Sequence, residues 1–252
     1  VIVACSTLCF GRHPLDEALR LIREMNFAKA DLAIHAEGPH LRPAEVIADV
    51  GKCAQKLKAS NIPFAAFHLE FDPTQTNTTR DQLRAVCRLA RLMAVPVLTV
   101  TAAGVGQNLM TEQKRLAEWV KAAEGEGVIL SVETRMGTLT EDANVAAALC
   151  QNVPGLGLTL DPSHYQYGPY AAGYDVVYPF VRHVRLRDSG DNPDQFQVRV
   201  GQGNIEYGKL LANLDRFKYD RALTVDVRDI PDSPFPIEPE VRKLKFLLES
   251  LA

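Results

Sequence analysis

Eight short runs rich in Val, Ile, Leu and Thr set the strongest limit on how this chain can fold. They cover residues 1–6, 31–35, 64–69, 97–101, 128–133, 156–161, 181–186 and 222–227, and polar or Gly/Pro residues follow each. Runs of this kind suit strands buried on both faces of a parallel sheet. Between them lie stretches with helical spacing, as in residues 15–25, where Leu15, Leu19 and Ile22 share a face. The same spacing predicts helices over 43–60, 79–93, 109–124, 140–150, 207–214 and 239–251. Thr79 and Thr140 stand where helix starts are favoured. Residues 168–180, rich in Gly, Pro and Tyr, form the weakest helical stretch.

Strands and helices in alternation leave a closed barrel or an open doubly wound sheet. A dinucleotide-binding sheet would carry G-x-G-x-x-G after the first strand, where this chain reads Ser6-Thr7-Leu8-Cys9-Phe10-Gly11. No linker or change of composition divides the 252 residues, a length near the ~250 typical of an α/β barrel. The expectation is a single (β/α)8 TIM barrel spanning residues 1–252.

Composition narrows the partners. A net charge of −3 without a basic tract argues against nucleic acid. No apolar run approaches the ~20 residues of a membrane span. The opening VIVACSTLCF reads as a strand, not a signal peptide, so the expected location is the cytoplasm, with an earlier targeting segment left open. The five cysteines include no CxxC pair and read as buried thiols in a reducing compartment. A homo-oligomer is compatible with this composition.

Barrel chemistry sits at the C-terminal ends of strands. The polar residues falling there are His35 and Glu37, His68 and Glu70, Glu133 and Arg135, and Asp161 and His164. The last two strands add His183, Arg185, Arg187 and Asp188, then Asp226 and Arg228. One strand-end acid often caps a helix or pairs with Arg. Glu133, Asp161 and Asp226 together are harder to explain that way. Strand neighbours bring Glu133 and Asp161 together, and Asp226 approaches across the mouth. Three buried acids repel, so a divalent cation or an Arg must sit among them. Oxygen ligands favour Mg²⁺ or Mn²⁺ over Zn²⁺.

Other features carry weaker signals. His13 and His40 read as solvated loop residues. The glycine-rich stretches 104–108 and 200–204 are plain loops or sources of N–H groups for an anion. Arg135, Arg187 and Arg228 near one rim favour an anionic ligand.

At these residues the chain resembles the xylose isomerase-like barrel superfamily. VILSVET is similar to the strand ending in a metal-ligand Glu, here Glu133, and LTLDPSHY to the L-D-x-x-H segment, here Asp161 and His164. VRHVRLRD resembles h-x-H-h-K-D, GQGNIEYG the G-x-G-x-I-D/E stretch, and LTVDV the last strand, whose final Glu is here Asp226. The resemblance implies a divalent metal held by Glu, Asp, His and Glu, with the two Glu residues exchanging a substrate proton. The chain departs from that pattern at Asp226 and, more seriously, at Arg185 in place of His. Arg has no lone pair to give a metal and stays protonated. His183 faces the same way but lies ~6.6 Å back along the strand.

Two readings follow. In one, the chain is a sugar isomerase or epimerase acting beside the carbonyl of a small carbohydrate or sugar acid. A metal would sit on Glu133, Asp161 and Asp226, with Glu133 and Asp226 as acid and base. His68, His164, Arg185 and Arg135 would bind substrate. In the other, Arg185 takes the cation's place beside Glu133 or Asp161, giving a metal-free sugar or sugar-acid binding barrel or a lyase. A nuclease ranks third.

Overall fold

The computed structural model describes residues 1–72, 74, 78–167 and 173–251. Eight strands run in chain order: β1 (Ile2–Ser6), β2 (Lys29–His35), β3 (Phe64–Glu70), β4 (Val97–Val100), β5 (Ile129–Glu133), β6 (Gly157–Leu160), β7 (Val181–Leu186) and β8 (Ala222–Val225). Each pairs in parallel with the next, and β8 closes on β1. The expected (β/α)8 barrel is therefore the observed fold.

The outer ring holds α1 (Leu15–Glu24), α2 (Pro43–Ala48), α3 (Val50–Lys58), α4 (Thr79–Leu92), α5 (Leu109–Glu124), α6 (Ala143–Asn152), α7 (Tyr207–Arg216) and α8 (Ile237–Leu251). The helix expected over 43–60 breaks at Asp49. That residue is extended at φ −158° and ψ 91°, and its carboxylate caps α3 by accepting from Lys52 N. The helix expected from residue 140 starts later. A 3₁₀ turn (Leu139–Glu141) comes first, and Asp142 caps α6 through Asn144 N. Within the weak stretch 168–180, the described part is a 3₁₀ turn at Asp175–Phe180 containing Pro179, and residues 168–172 lie outside the described residues. Among the described residues no helix is long and apolar enough to cross a membrane.

Strand residues that face outward, such as Leu32, Ile34, Phe67, Leu69, Val132 and Val184, are buried in the main apolar core. The inside of the barrel is different. Ala4, Ala65 and Ala222 make a floor of small side chains. Above it Thr99, Ser131 and Thr159 share hydroxyl hydrogen bonds of 2.7 Å (Thr99–Thr159) and 2.5 Å (Ser131–Thr159). His183 Nε2 lies 2.9 Å from Asp31 Oδ2, with both residues buried. Barrels are usually filled by bulky branched residues, whereas this one is filled by polar groups that must satisfy one another.

A register shift between β6 and β7 aligns Leu158 with Val181 but Thr159 with His183. The period of two then points His183, Arg185 and Arg187 inward. This is how one strand delivers two cations to the barrel mouth.

The five cysteines are free and buried, as read from the sequence. His40 is also buried, contrary to the expectation of a solvated loop residue. Its loop folds back on β2, where His35 N donates to Leu41 O at 3.0 Å. His13 remains partly exposed, 3.4 Å from Glu17.

Candidate active site

Two guanidiniums occupy the centre of the C-terminal mouth, and both are fully buried. Arg185 donates from Nη2 to Asp226 Oδ1 at 2.9 Å and to Ser6 Oγ at 3.2 Å. Its Nη1 lies 3.5 Å from Glu133 Oε1 and touches His68 Nδ1. Its Nε lies 3.8 Å from Asp31 Oδ2. Arg187 donates from Nη2 to Asp161 Oδ2 at 2.6 Å and to Asp226 Oδ2 at 2.5 Å. The guanidinium geometry suits such bridging, and removing either partner would strand a buried charge.

The three acids expected at the site are all fully buried at the mouth, but they stand in different surroundings. Asp226 is shared by three cations, since Arg228 Nε also lies 3.4 Å from Oδ2. Burial works to raise its pKa, but Arg185, Arg187 and Arg228 outweigh it and hold the carboxyl far below the usual range. Asp161 accepts from Ser163 N at 3.1 Å and Ser163 Oγ at 2.5 Å, so it also caps the turn that carries His164. Arg187, not a shared pocket with Glu133, joins Asp161 to Asp226.

Glu133 stands apart. Among the described residues neither carboxylate oxygen has a hydrogen-bond partner. Its neighbours are His68 Nε2 and Arg185 Nη1 at 3.5 Å each, and Arg135 Nη1 at 3.7 Å. Burial alone would raise its pKa, but His68 and then Arg185 overcome that and keep it well below the usual value. It is therefore an ionised carboxylate with free lone pairs, aimed into the barrel.

The histidines divide into pairs. His35 Nε2 lies 3.1 Å from His68 Nδ1, and His35 Nδ1 lies 3.6 Å from Glu70 Oε2. Burial lowers His35 to about 3, which leaves it neutral. Glu70 is held at about 2: burial opposes this, but His68, His35 and Arg135 prevail. Glu70 also pairs directly with Arg135. That pair lines a cleft of about 1050 Å³, together with Thr101, Trp119 and Gln107. His164 accepts from Met136 N at 3.2 Å, packs on Phe196 at 4.8 Å, and is lowered to about 4 by burial. Each of the expected substrate contacts, His68, His164, Arg185 and Arg135, thus borders the mouth. Sequence reasoning passed over Asp31 and gave Arg187 no place among the acids. The available signal was the inward register that both share with their strand neighbours.

The glycine-rich loop 200–204 already has an anion. Asp188 Oδ2 accepts from Gly201 N at 2.7 Å and Gly203 N at 3.2 Å. A side chain at Gly203 would meet Asp188 Oδ1 at 2.2 Å, so the close approach requires glycine. After β4, Asn108 caps α5 through Thr111 N at 3.0 Å.

A divalent cation does not fit among Glu133, Asp161 and Asp226. Arg187 occupies the space between two of them, and Arg185 links the third to Asp226. Guanidiniums supply charge but no lone pairs. A different grouping, His35, His68 and Glu70, brings three potential ligand atoms within 4.8 Å of one another.

The closed parallel barrel, with the charged cluster at its C-terminal mouth, is a (β/α)8 barrel. Residues 19–248 match the model of the xylose isomerase-like TIM barrel, and the chain belongs to that family. Among solved structures it is similar to a D-tagatose 3-epimerase-like protein, at 18% identity and TM-score 0.75, covering 100% of this chain and 98% of that one. A D-allulose 3-epimerase from Methylomonas sp. in complex with D-allulose is 13% identical, with TM-score 0.77 and coverage of 100% and 97%. A xylose isomerase-like TIM barrel protein from Mycobacterium smegmatis in complex with magnesium is 16% identical, with TM-score 0.75 and coverage of 100% and 98%. At these identities the likeness is one of fold. No curated protein matches the chain.

Proposed function

We propose that this chain is a sugar isomerase or epimerase that moves a proton beside the carbonyl of a small carbohydrate, with Glu133 as its base and no metal among its acids. The observation that carries this reading is Glu133 itself, fully buried, ionised and free of hydrogen bonds among the described residues. A carboxylate in that state accepts a proton from carbon without first breaking a bond of its own. Negative charge then develops on the substrate oxygen, where fixed cations lower the barrier most. Arg135, 3.7 Å from Glu133 and open to the cleft, would meet that oxygen. His68 and His164 offer ring nitrogens to substrate hydroxyls. Asp226, saturated by arginines, serves as their counterion and not as a second base. One base suits transfer along one face of the substrate, from one carbon to its neighbour, which favours the isomerase over the epimerase, since inversion at one carbon needs a second proton donor on the opposite face. The family and its epimerase-titled neighbours support the carbohydrate class.

The test is deuterium uptake from D₂O at the carbon beside the carbonyl, followed by NMR across a panel of aldoses and ketoses, D-allulose included. We expect uptake that survives EDTA and falls about 10²–10⁴-fold in Glu133→Gln. Exchange unchanged by Glu133→Gln removes the reading. A second reading rests on the His35, His68 and Glu70 grouping, whose mixed nitrogen and oxygen donors suit Zn²⁺ or Mn²⁺. Uptake abolished by EDTA and by His68→Ala but restored by Mn²⁺ in the parent would favour it.

A further inference from the structure

Of the mouth's arginines, Arg228 is the least committed. Arg185 is held by Asp226 and Ser6, Arg187 by Asp161 and Asp226, and Arg135 by Glu70. Arg228 reaches Asp226 only through Nε, at 3.4 Å, and its terminal nitrogens make no hydrogen bond among the described residues. Its backbone is fixed. Arg228 N donates to Gln197 Oε1 at 2.6 Å, and Gln197 Nε2 donates to Arg228 O at 3.0 Å. The side chain is 27% exposed, in contrast to the fully buried Arg185 and Arg187.

Beneath it, Arg187 keeps Nε and Nη1 buried without a partner among the described residues. Its planar face lies 4.7 Å from the Phe196 ring, on which His164 also packs. Three cations thus meet Asp226, and Arg228, the outermost, reaches it only through Nε, which leaves both terminal nitrogens uncommitted among the described residues. Burial chiefly, and Arg187 after it, lowers the Arg228 pKa, while Asp226 opposes the shift. Asp161 is already spent on Arg187 and on its own turn.

We infer that Arg228, backed by the free nitrogens of Arg187, is the binding site for a carboxylate, and that the preferred substrates are sugar acids rather than neutral sugars. The inference rests on the carbohydrate reading above and names the substrate class of that site. A planar carboxylate matches the two terminal nitrogens of Arg228 in a forked pair. A neutral sugar offers no charged partner to those two terminal nitrogens. The anion lands on the β8 side of the mouth, and the rest of the ligand extends toward Glu133 and the Arg135 cleft.

Isothermal titration calorimetry with matched probes tests this. D-gluconate and D-galacturonate are compared with D-glucitol and D-galactose, on the parent protein, Arg228→Gln and the surface control Arg242→Gln. We expect the acids to bind more tightly than their neutral partners, with affinity falling as salt rises. Arg228→Gln should weaken acid binding about ten- to a hundredfold, the loss of one charge-assisted pair. Arg242→Gln should leave it unchanged. Acids and neutral sugars binding alike, or acids binding Arg228→Gln as well as the parent, would overturn the inference. Inorganic phosphate displacing gluconate with equal or better affinity overturns the carboxylate assignment. Deuterium uptake into the neutral sugars, measured on the parent, reports on the isomerase reading separately. Its failure leaves a selective, Arg228-dependent acid site standing, and its success does not rescue a site that fails to discriminate.

Discussion

Arg187 Nη2 meets Asp226 Oδ2 at 2.5 Å, and both residues are fully buried. The same carboxylate also receives Arg185 at 2.9 Å. Asp226→Ala therefore leaves two desolvated guanidiniums short of a counterion. We expect a loss of about 3–5 kcal/mol, the range for breaking a buried pair. Urea unfolding monitored by circular dichroism measures it. A loss below about 1 kcal/mol would mean that the cluster is solvated.

Replacing Arg185 by His exchanges a fixed charge for a ligand. Calorimetry should show at least tenfold tighter Mn²⁺ binding than in the parent. Without metal the variant should melt lower, because Glu133 and Asp226 lose a shared cation. Added Mn²⁺ should recover part of that loss through linkage. Parent protein that binds Mn²⁺ as tightly as the variant would contradict the exclusion of metal from the three acids.

Acid should begin to destabilise the fold before its carboxylates titrate. His35 is held at about 3 and His164 at about 4, against 6.5 in an unfolded chain. Between those values the unfolded chain binds more protons, so stability rises with pH. The contribution is complete above 6.5 and lost as pH falls toward the folded values. Each histidine adds a slope of up to about 1.4 kcal/mol per pH unit in that window. Glu70, at about 2 folded and 4.5 unfolded, acts lower: its stabilisation is present above 4.5 and lost below. Unfolding free energies at pH 5, 6 and 7 should fall with acid, less steeply in His164→Asn. A flat profile in that interval would refute neutral burial of the two rings.

Gly203 supports the mouth from behind by letting its N–H reach Asp188. A methyl group there would meet the Asp188 carboxylate at 2.2 Å and Ser189 O at 2.5 Å. Gly203→Ala should cost about 1–3 kcal/mol, as overpacking does. Gly208→Ala, which meets nothing within 4 Å, is the control. Thermal melts of the two variants compare them directly.

The barrel was legible because the eight strands are short, largely buried runs rich in Val, Ile, Leu and Thr, set apart by polar and Gly/Pro segments. The helix boundaries were less so. Asp49 and Asp142 read as helical residues, yet both act as caps, because a carboxylate that bonds the following N–H groups competes with helix. The acids of the mouth were legible from strand-end position alone. Their partners were not. That Arg187 would bridge Asp161 and Asp226 depends on the β6–β7 register shift, which no local pattern encodes. Asp31 opens the run 31–35 and drew no role there, yet it lies inside the barrel against His183. His40 looked solvated because burial there is decided by a loop returning to β2.

Asp226 answers to three arginines at once, and this shapes the paths by which such a site can evolve. A lone substitution at 185, 187 or 226 passes through an intermediate with an uncompensated buried charge. Effects at these positions should be strongly epistatic, because the residues share partners. A change at 185 that removes the guanidinium is therefore expected to need a compensating cation, or the loss of an acid, in the same step.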